Sequence, residues 1–238
     1  PTYPAVKREL DTDALDLRRF RSGATLVRPG ERTVLSDPLA DPRAALPTVL
    51  NRDVTLGDKL RVLALRRELG TKSVEAILAA DDQSIADFLD ARGFSRQFCE
   101  RFAAPFYGGI TLDRSLSTSR LVFEYTFKML TEGAAAVPAA GMEAIPRQLA
   151  ARARDAGARI ETDTRVETVT PDRDGVTVET ERETVTADAA VVATDPATAR
   201  ELTDCAAIPT GSRGCVTQYV ALPARQRLDT GKRLLLNT

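Results

Sequence analysis

Histidine and tryptophan are absent from the 238 residues. Without an imidazole there is no Ser-His-Asp triad, no HExxH zinc site and no His/Cys deaminase site, which removes much of the hydrolase and metalloenzyme repertoire. Any chemistry then falls to carboxylates, Arg, Lys, Tyr, backbone groups or a bound cofactor. An excess of either charge is lacking too: 33 basic residues stand against 34 acidic ones, for a net charge of −1. So balanced a chain has no overall field to gather nucleic acid or an anionic membrane, and no nucleic-acid partner is expected. The three cysteines, Cys99, Cys205 and Cys215, follow no zinc or redox spacing. They read as small buried apolar residues in a reducing compartment, which points to a cytoplasmic chain. No apolar run approaches the roughly 18 residues of a membrane span, and no signal-peptide pattern opens the sequence. Peripheral contact with a membrane is left open.

A glycine-rich phosphate cradle is also missing. The G-x-G-x-x-G spacing that lets a backbone approach a pyrophosphate does not occur. Gly108-Gly109 and the Gly211–Gly214 pair come nearest, and both read as turns. The chain opens on Pro1 and stops at Thr238 inside an apolar run, Leu234-Leu235-Leu236, that reads as a strand. The sequence is therefore expected to be an internal piece of a longer protein.

What is present has a clear order. Length alone suggests one or two domains of about 150 residues each. Short alternating runs over residues 15–35, split by Pro29-Gly30, predict a hairpin. After Asp37-Pro38 the period becomes helical: Leu46, Val49 and Leu50, then Leu60, Leu63, Ala64 and Leu69, with Gly70 placed as a stop. Ser84 begins a capping-box-like helix, Ile85–Arg92, closed by Gly93. A helix is predicted from Ser95 to Ala103, broken at Pro105, and another from Arg114 to Leu130 with a wide apolar stripe. Beyond Gly133–Gly141 comes a helix over Glu143–Ala156, with Pro146 in its first turn and Gly157 at its end. Strands are expected at Arg159–Glu161, Arg165–Thr170, Val176–Thr180, Thr184–Thr186 and the apolar run Ala189–Ala193. Further strands are expected at Gly214–Leu222 and Arg233–Leu236.

The pieces between Pro138 and Pro196, in this order and spacing, resemble the flavin-dependent amine oxidase superfamily, and within it the phytoene desaturase-like dehydrogenases. They are Pro138–Met142, the helix after it, Gly157–Ile160, Arg165–Val169, Gly175–Val178 and Ala187–Pro196. Outside them, Asp37-Pro38, Gly57-Asp58-Lys59-Leu60, Ser84 with Phe88-Leu89, Phe102 with Pro105–Gly109, and Leu116–Ser119 look like that family's substrate domain.

The resemblance implies a mixed α+β and α/β fold. A partial FAD/NAD(P)-binding Rossmann-type domain, residues 137–209, interleaves with a helix-and-sheet substrate-binding domain, residues 1–136 and 210–238. It implies FAD as cofactor, with the backbone of Val166 meeting the adenine ring, Ala193 and Thr194 at a strand end beside the cofactor, and Gly141 and Met142 where the chain re-enters the FAD domain. The family's N-terminal glycine fingerprint, acidic ribose ligand and C-terminal closing segment are missing, so weak or no FAD binding is expected of this chain alone. The implied reaction is two-electron oxidation by hydride transfer to flavin, with no residue here marked as a catalytic base. An apolar substrate is expected, with Tyr107, Phe123 and Phe127 as its contacts; the helix of Phe123 and Phe127 reads more readily as a core helix, and Phe106 and Tyr107 could instead simply anchor a turn. A carotenoid precursor, an amine and a porphyrinogen all stay open as substrates. A second reading is a non-catalytic module that binds an apolar ligand or a protein partner.

Overall fold

The computed structural model describes residues 2–37, 41–223, 226 and 231–238. Along the chain come α1 (Pro4–Glu9), β1 (Leu17–Arg19), β2 (Ala24–Arg28), β3 (Glu31–Leu35), α2 (Ala45–Leu50), α3 (Leu56–Thr71), α4 (Val74–Leu78), α5 (Ile85–Ala91) and α6 (Arg96–Phe98). A π-helical turn at Cys99–Ala103 leads into α7 (Ala104–Thr111), followed by α8 (Arg120–Glu132), β4 (Ala136–Pro138) and α9 (Ala144–Asp155). Strands β5 (Val166–Pro171), β6 (Val176–Thr180) and β7 (Thr184–Ala187), helix α10 (Pro196–Thr203) and β8 (Leu234–Asn237) complete the order. The mixed helix-and-sheet architecture agrees with the expected fold class.

Two compact units divide the chain, residues 1–149 with 217–238 and residues 150–216. The change of style expected at residues 137 and 210 thus lies some way from the two divisions.

In the larger unit, β2 and β3 form the expected hairpin around Pro29-Gly30, and β8 adds to the other side of β2 in parallel, with Ala24 opposite Leu234. β1 stands apart and pairs antiparallel with β4. The helical core gathers Leu65 and Leu69 of α3, Ile77 of α4, Ile85, Phe88 and Leu89 of α5, Tyr107 of α7 and Phe123 of α8. A smaller cluster, Ala24, Leu26 and Leu236, packs on the hairpin sheet against Phe102 and Phe106.

Helix starts are set by side-chain caps. Thr55 and Asp58 make a reciprocal capping box on α3, Ser73 caps α4, Ser84 caps α5, Ser95 caps α6 and Ser119 caps α8.

Several expected boundaries move. Gly70 lies inside α3, which runs one residue further. Pro105 does not break its helix: the π turn before it shifts the hydrogen-bond register, so Pro105 sits in the first turn of α7, where a missing N–H is harmless. Gly108 and Gly109 are accordingly helical, not a turn. Gly108 is required by close approach, since a Cβ there would stand 2.9 Å from Arg114 Cα. Helix α8 starts at Arg120, not Arg114, because Asp113 draws the intervening loop onto itself. Its carboxylate accepts from the N–H and Oγ of Ser115 and of Ser117, and from Thr118 Oγ1. Pro38 of the expected Asp37-Pro38 turn lies outside the described residues.

The smaller unit is an antiparallel meander in the order β5-β6-β7, with α10 beside β5. It has little interior; Val176 and Ala199 are its buried apolar residues among those described. The run Ala189–Ala193 is no strand and lies largely exposed, as does Gly214–Leu222, where Val216 is 98% and Tyr219 92% exposed. Arg159–Glu161 forms no strand either. Such runs become buried strands only between sheet neighbours, and no described strand pairs with them.

Candidate functional site

The segment from Pro138 to Met142 is held from both sides. Leu17 of β1 stands opposite Pro138 of β4, and the Ala139 N–H donates to the carbonyls of Leu15 and Asp16. The N–H of Gly141 donates to Pro138 O at 3.0 Å, and α9 begins with Ala144 N–H on Gly141 O and Ile145 N–H on Met142 O. Gly141 takes φ +91, a left-handed conformation that favours glycine, with open space where a Cβ would stand. Met142 is exposed.

Beside this turn lies a cleft of about 330 Å³, lined by Ala14, Leu15, Ala140, Glu143, Ala144, Arg147 and Gln148. That is near the lower end of volumes that hold small molecules or parts of cofactors. Its polar rim is already ordered. Arg147 pairs with Glu143 at 2.9 Å, while Gln148 accepts from the Asp11 N–H at 2.9 Å and donates to the Asp11 carbonyl at 3.0 Å.

Val166, Ala193 and Thr194 belong to the other unit. Val166 opens β5 and is 36% exposed, with an irregularity in the ladder before Thr168. Because β5 has, among the described residues, a sheet neighbour on one side only, some of its backbone groups point away from the ladder. Ala193 and Thr194 are exposed and lead directly into Asp195. Asp195 closes the first turn of α10: its carboxylate accepts from the N–H groups of Ala197 and Thr198 and from Thr198 Oγ1. Those bonds, the side-chain one from Thr198 foremost, hold its carboxyl below the ordinary range.

This donor set fits one end of a dinucleotide. An open strand edge with a small apolar side chain suits a flat purine read through backbone groups. A helix start occupied by a carboxylate does not suit an anionic diphosphate, and no glycine-rich turn precedes a helix among the described residues.

The expected substrate contacts sit elsewhere in the larger unit. Tyr107 and Phe123 are core rings, both 2% exposed, with centroids 4.5 Å apart. Burial pushes the Tyr107 phenol far up, against the opposing effect of a hydrogen bond with Thr126. Phe127 is half-buried, 5.8 Å from Phe123. None of the three lines the cleft at α9.

Beside Phe106, which with Tyr107 the sequence marks as able to approach substrate or to anchor a turn, the structure sets a second half-buried ring, Phe102. The rings of Phe102 and Phe106 stack at 5.5 Å with planes 9° apart, and both pack on the helical core and on the β2–β8 sheet. The spacing of Phe102 and Phe106, four residues apart across a helical stretch, is the signal that could have singled out Phe102.

Cys99 is half-buried, and burial followed by the charges of Asp58, Asp90 and Glu100 raises its thiol pKa. Cys205 and Cys215 are exposed, which corrects the expectation of three buried thiols. Among the described residues no cluster of acids and cysteines could hold a metal ion, and no helix is long and apolar enough to cross a membrane.

A mixed helix-and-sheet protein in two compact units is the class these features define. The sequence profile of the flavin-containing amine oxidoreductases matches residues 1–216, and the chain belongs to that family. No curated protein sequence matches it significantly. Among solved structures it is similar to a putrescine oxidase double variant from a redesign of cofactor binding. The two share 18% identity with a TM-score of 0.51, over 79% of this chain and 44% of that one. Wild-type putrescine oxidase bound to putrescine also aligns, at 18% identity and TM-score 0.47, over 74% of this chain and 41% of that one. The chain therefore spans less than half the length of the structures it matches, and the likeness speaks to fold alone.

Proposed function

We propose that this chain is the greater part of the substrate-binding domain, with an outlying part of the FAD domain, of an FAD-dependent oxidoreductase that acts on an apolar substrate in the manner of phytoene dehydrogenases. The family match over residues 1–216 carries the flavoenzyme reading. The half-buried rings of Phe102, Phe106 and Phe127 support the apolar substrate.

Bound flavin supplies two-electron oxidation by accepting hydride from a substrate carbon, which asks no imidazole of the protein. The chain's own residues bind and orient. The backbone of Val166 at the β5 edge, with Ala193 and Thr194, serves the adenine half. Gly141 and Met142, beside the cleft at α9, serve the flavin half, where the left-handed turn at Gly141 lets backbone approach closely. Phe102, Phe106 and Phe127 present apolar surface to the substrate and exclude water from it, while Tyr107 and Phe123 hold those rings in place from behind. The diphosphate needs a cradle supplied from outside these residues, so the 238-residue chain alone binds FAD weakly or not at all.

The test is anaerobic flavin reduction by the whole protein, offered either a polyene hydrocarbon in detergent micelles or a diamine. Bleaching of the flavin band by the polyene, slowed about tenfold or more in Phe106→Ala, is the expected outcome. Bleaching by the diamine alone overturns the apolar-substrate reading. A whole protein that carries no flavin overturns the flavoenzyme reading and favours a non-catalytic ligand-binding module.

A further inference from the structure

Helix α3 is apolar on two sides. Leu65 and Leu69 enter the core, whereas Leu56, Leu60 and Leu63, spaced as one stripe, lie 45–68% exposed. Helix α2 repeats the pattern with Leu46, Val49 and Leu50 exposed. The two helices are tied end to end, since Lys59 Nζ donates to the carbonyls of Val49 at 3.0 Å and Asn51 at 2.7 Å. Six large aliphatic side chains thus stand uncovered on joined helices.

The exposed charged side chains of residues 43–67 are all basic, and the next acid along α3, Glu68, is held by Lys72 and Arg92. Residues 43–67 contain Arg43, Arg52, Lys59, Arg61, Arg66 and Arg67 but only two acids, Asp53 and Asp58. Both acids are buried, at 1% and 0% exposure, and engaged inward: Asp53 by Arg28, Arg101 and Thr33, Asp58 by Thr55 and Ser95. Arg43, Arg52, Arg61 and Arg67 are exposed. On a chain of net charge −1, this stretch shows solvent apolar and cationic groups and no carboxylate.

We propose that the α2–α3 face seats on an anionic lipid bilayer, with the leucines entering the acyl boundary and the arginines lying among the headgroups. Leucine interleaved with arginine and free of exposed acid is the composition that an anionic lipid surface selects. A second copy of the chain is a poorer occupant, because a two-fold contact through this face would set arginine against arginine. The proposal is independent of the flavin reading.

Flotation of the whole protein with vesicles tests it. Binding is expected to vesicles of phosphatidylcholine with about a quarter phosphatidylglycerol, and not to phosphatidylcholine alone. Leu56→Glu with Leu60→Glu should lower partitioning at least about tenfold. Arg43→Gln and Arg52→Gln should each lower it about fivefold. All these side chains are exposed, and an unchanged thermal melt verifies that each variant is folded. No flotation of wild type, or flotation that ignores the leucine substitutions, overturns the proposal. So does a dimer that becomes monomeric in Leu60→Glu without any dependence on lipid, which would make the face an interface between copies. Leucines found protected from solvent in the lipid-free whole protein would show another part of that protein to be the occupant, and would overturn it equally.

Discussion

Asp58 shows how one buried charge can organise a domain. It is fully buried, and burial alone would raise its pKa; hydrogen bonds from the side chains and backbones of Ser95 and Thr55 outweigh that and hold the carboxyl below its ordinary value. One carboxylate therefore closes the start of α3 through Thr55 and fixes the start of α6 through the Ser95 N–H at 2.8 Å and Oγ at 2.6 Å. Replacing it by alanine takes the acceptor from four donors at once, the N–H and hydroxyl of Thr55 and of the half-buried Ser95, and leaves a void in its fully buried place. Asp58→Ala is expected to lower unfolding stability by about 3 kcal/mol, and Asp58→Asn, which keeps one acceptor oxygen, by roughly half as much, read from the midpoint of urea denaturation. The Gly57-Asp58-Lys59-Leu60 motif was visible in the sequence, yet its purpose was not. Thr55 at the N-cap position is local and legible; Ser95 is distant in the chain and reaches Asp58 only through the fold.

Among the elements, α3 and α5 are joined by an ion pair that titrates. Arg92, packed over the Phe88 ring, donates to both oxygens of Glu68, and Lys72 donates to the same carboxylate. The hydrogen bond from Arg92 contributes most to holding Glu68 at about 2, against an ordinary value of 4.5. The folded state thus binds this proton more weakly than the unfolded chain does. Its stabilising contribution is complete above pH 4.5, shrinks as pH falls below that, and is gone below about 2. Partial exposure limits the effect to about 1 kcal/mol. The melting-temperature difference between wild type and Glu68→Gln should be small but measurable at pH 7 and should narrow steadily toward pH 3. The sequence announced helices well where a local cap starts them, as at Ser84, or a glycine closes them, as at Gly93 and Gly157. It failed where a distant or unusual interaction decides: Asp113 delays α8, and the π turn rescues Pro105. Ala189–Ala193 and Gly214–Leu222 have strand composition, but composition cannot form a strand without a neighbour to pair with.

For the molecule as a whole, the two units differ in how much interior they possess. Residues 1–149 with 217–238 bury an aromatic and aliphatic core, while the described residues of 150–216 bury little more than Val176 and Ala199. Amides of β5, β6 and β7 should therefore exchange with solvent deuterium at least about 100-fold faster than those of α5 and α8 in the 238-residue chain, as peptide-level mass spectrometry would read. Equal protection would show that the smaller unit gains stability from a source its own residues do not supply. The expected cofactor contacts divide along the same line, Val166, Ala193 and Thr194 in one unit and Gly141 and Met142 in the other. A sequence reading can name such residues singly, but only folded coordinates can say which share a body. The parallel pairing of β2 with β8 carries a consequence for how the protein is made. The hairpin is synthesised well before β8, the strand that pairs with its open side, because residues 36–233 are made between them. Throughout that interval an apolar sheet edge lies unprotected, and slowed synthesis or truncation before Leu234 leaves it available to pair with another nascent chain.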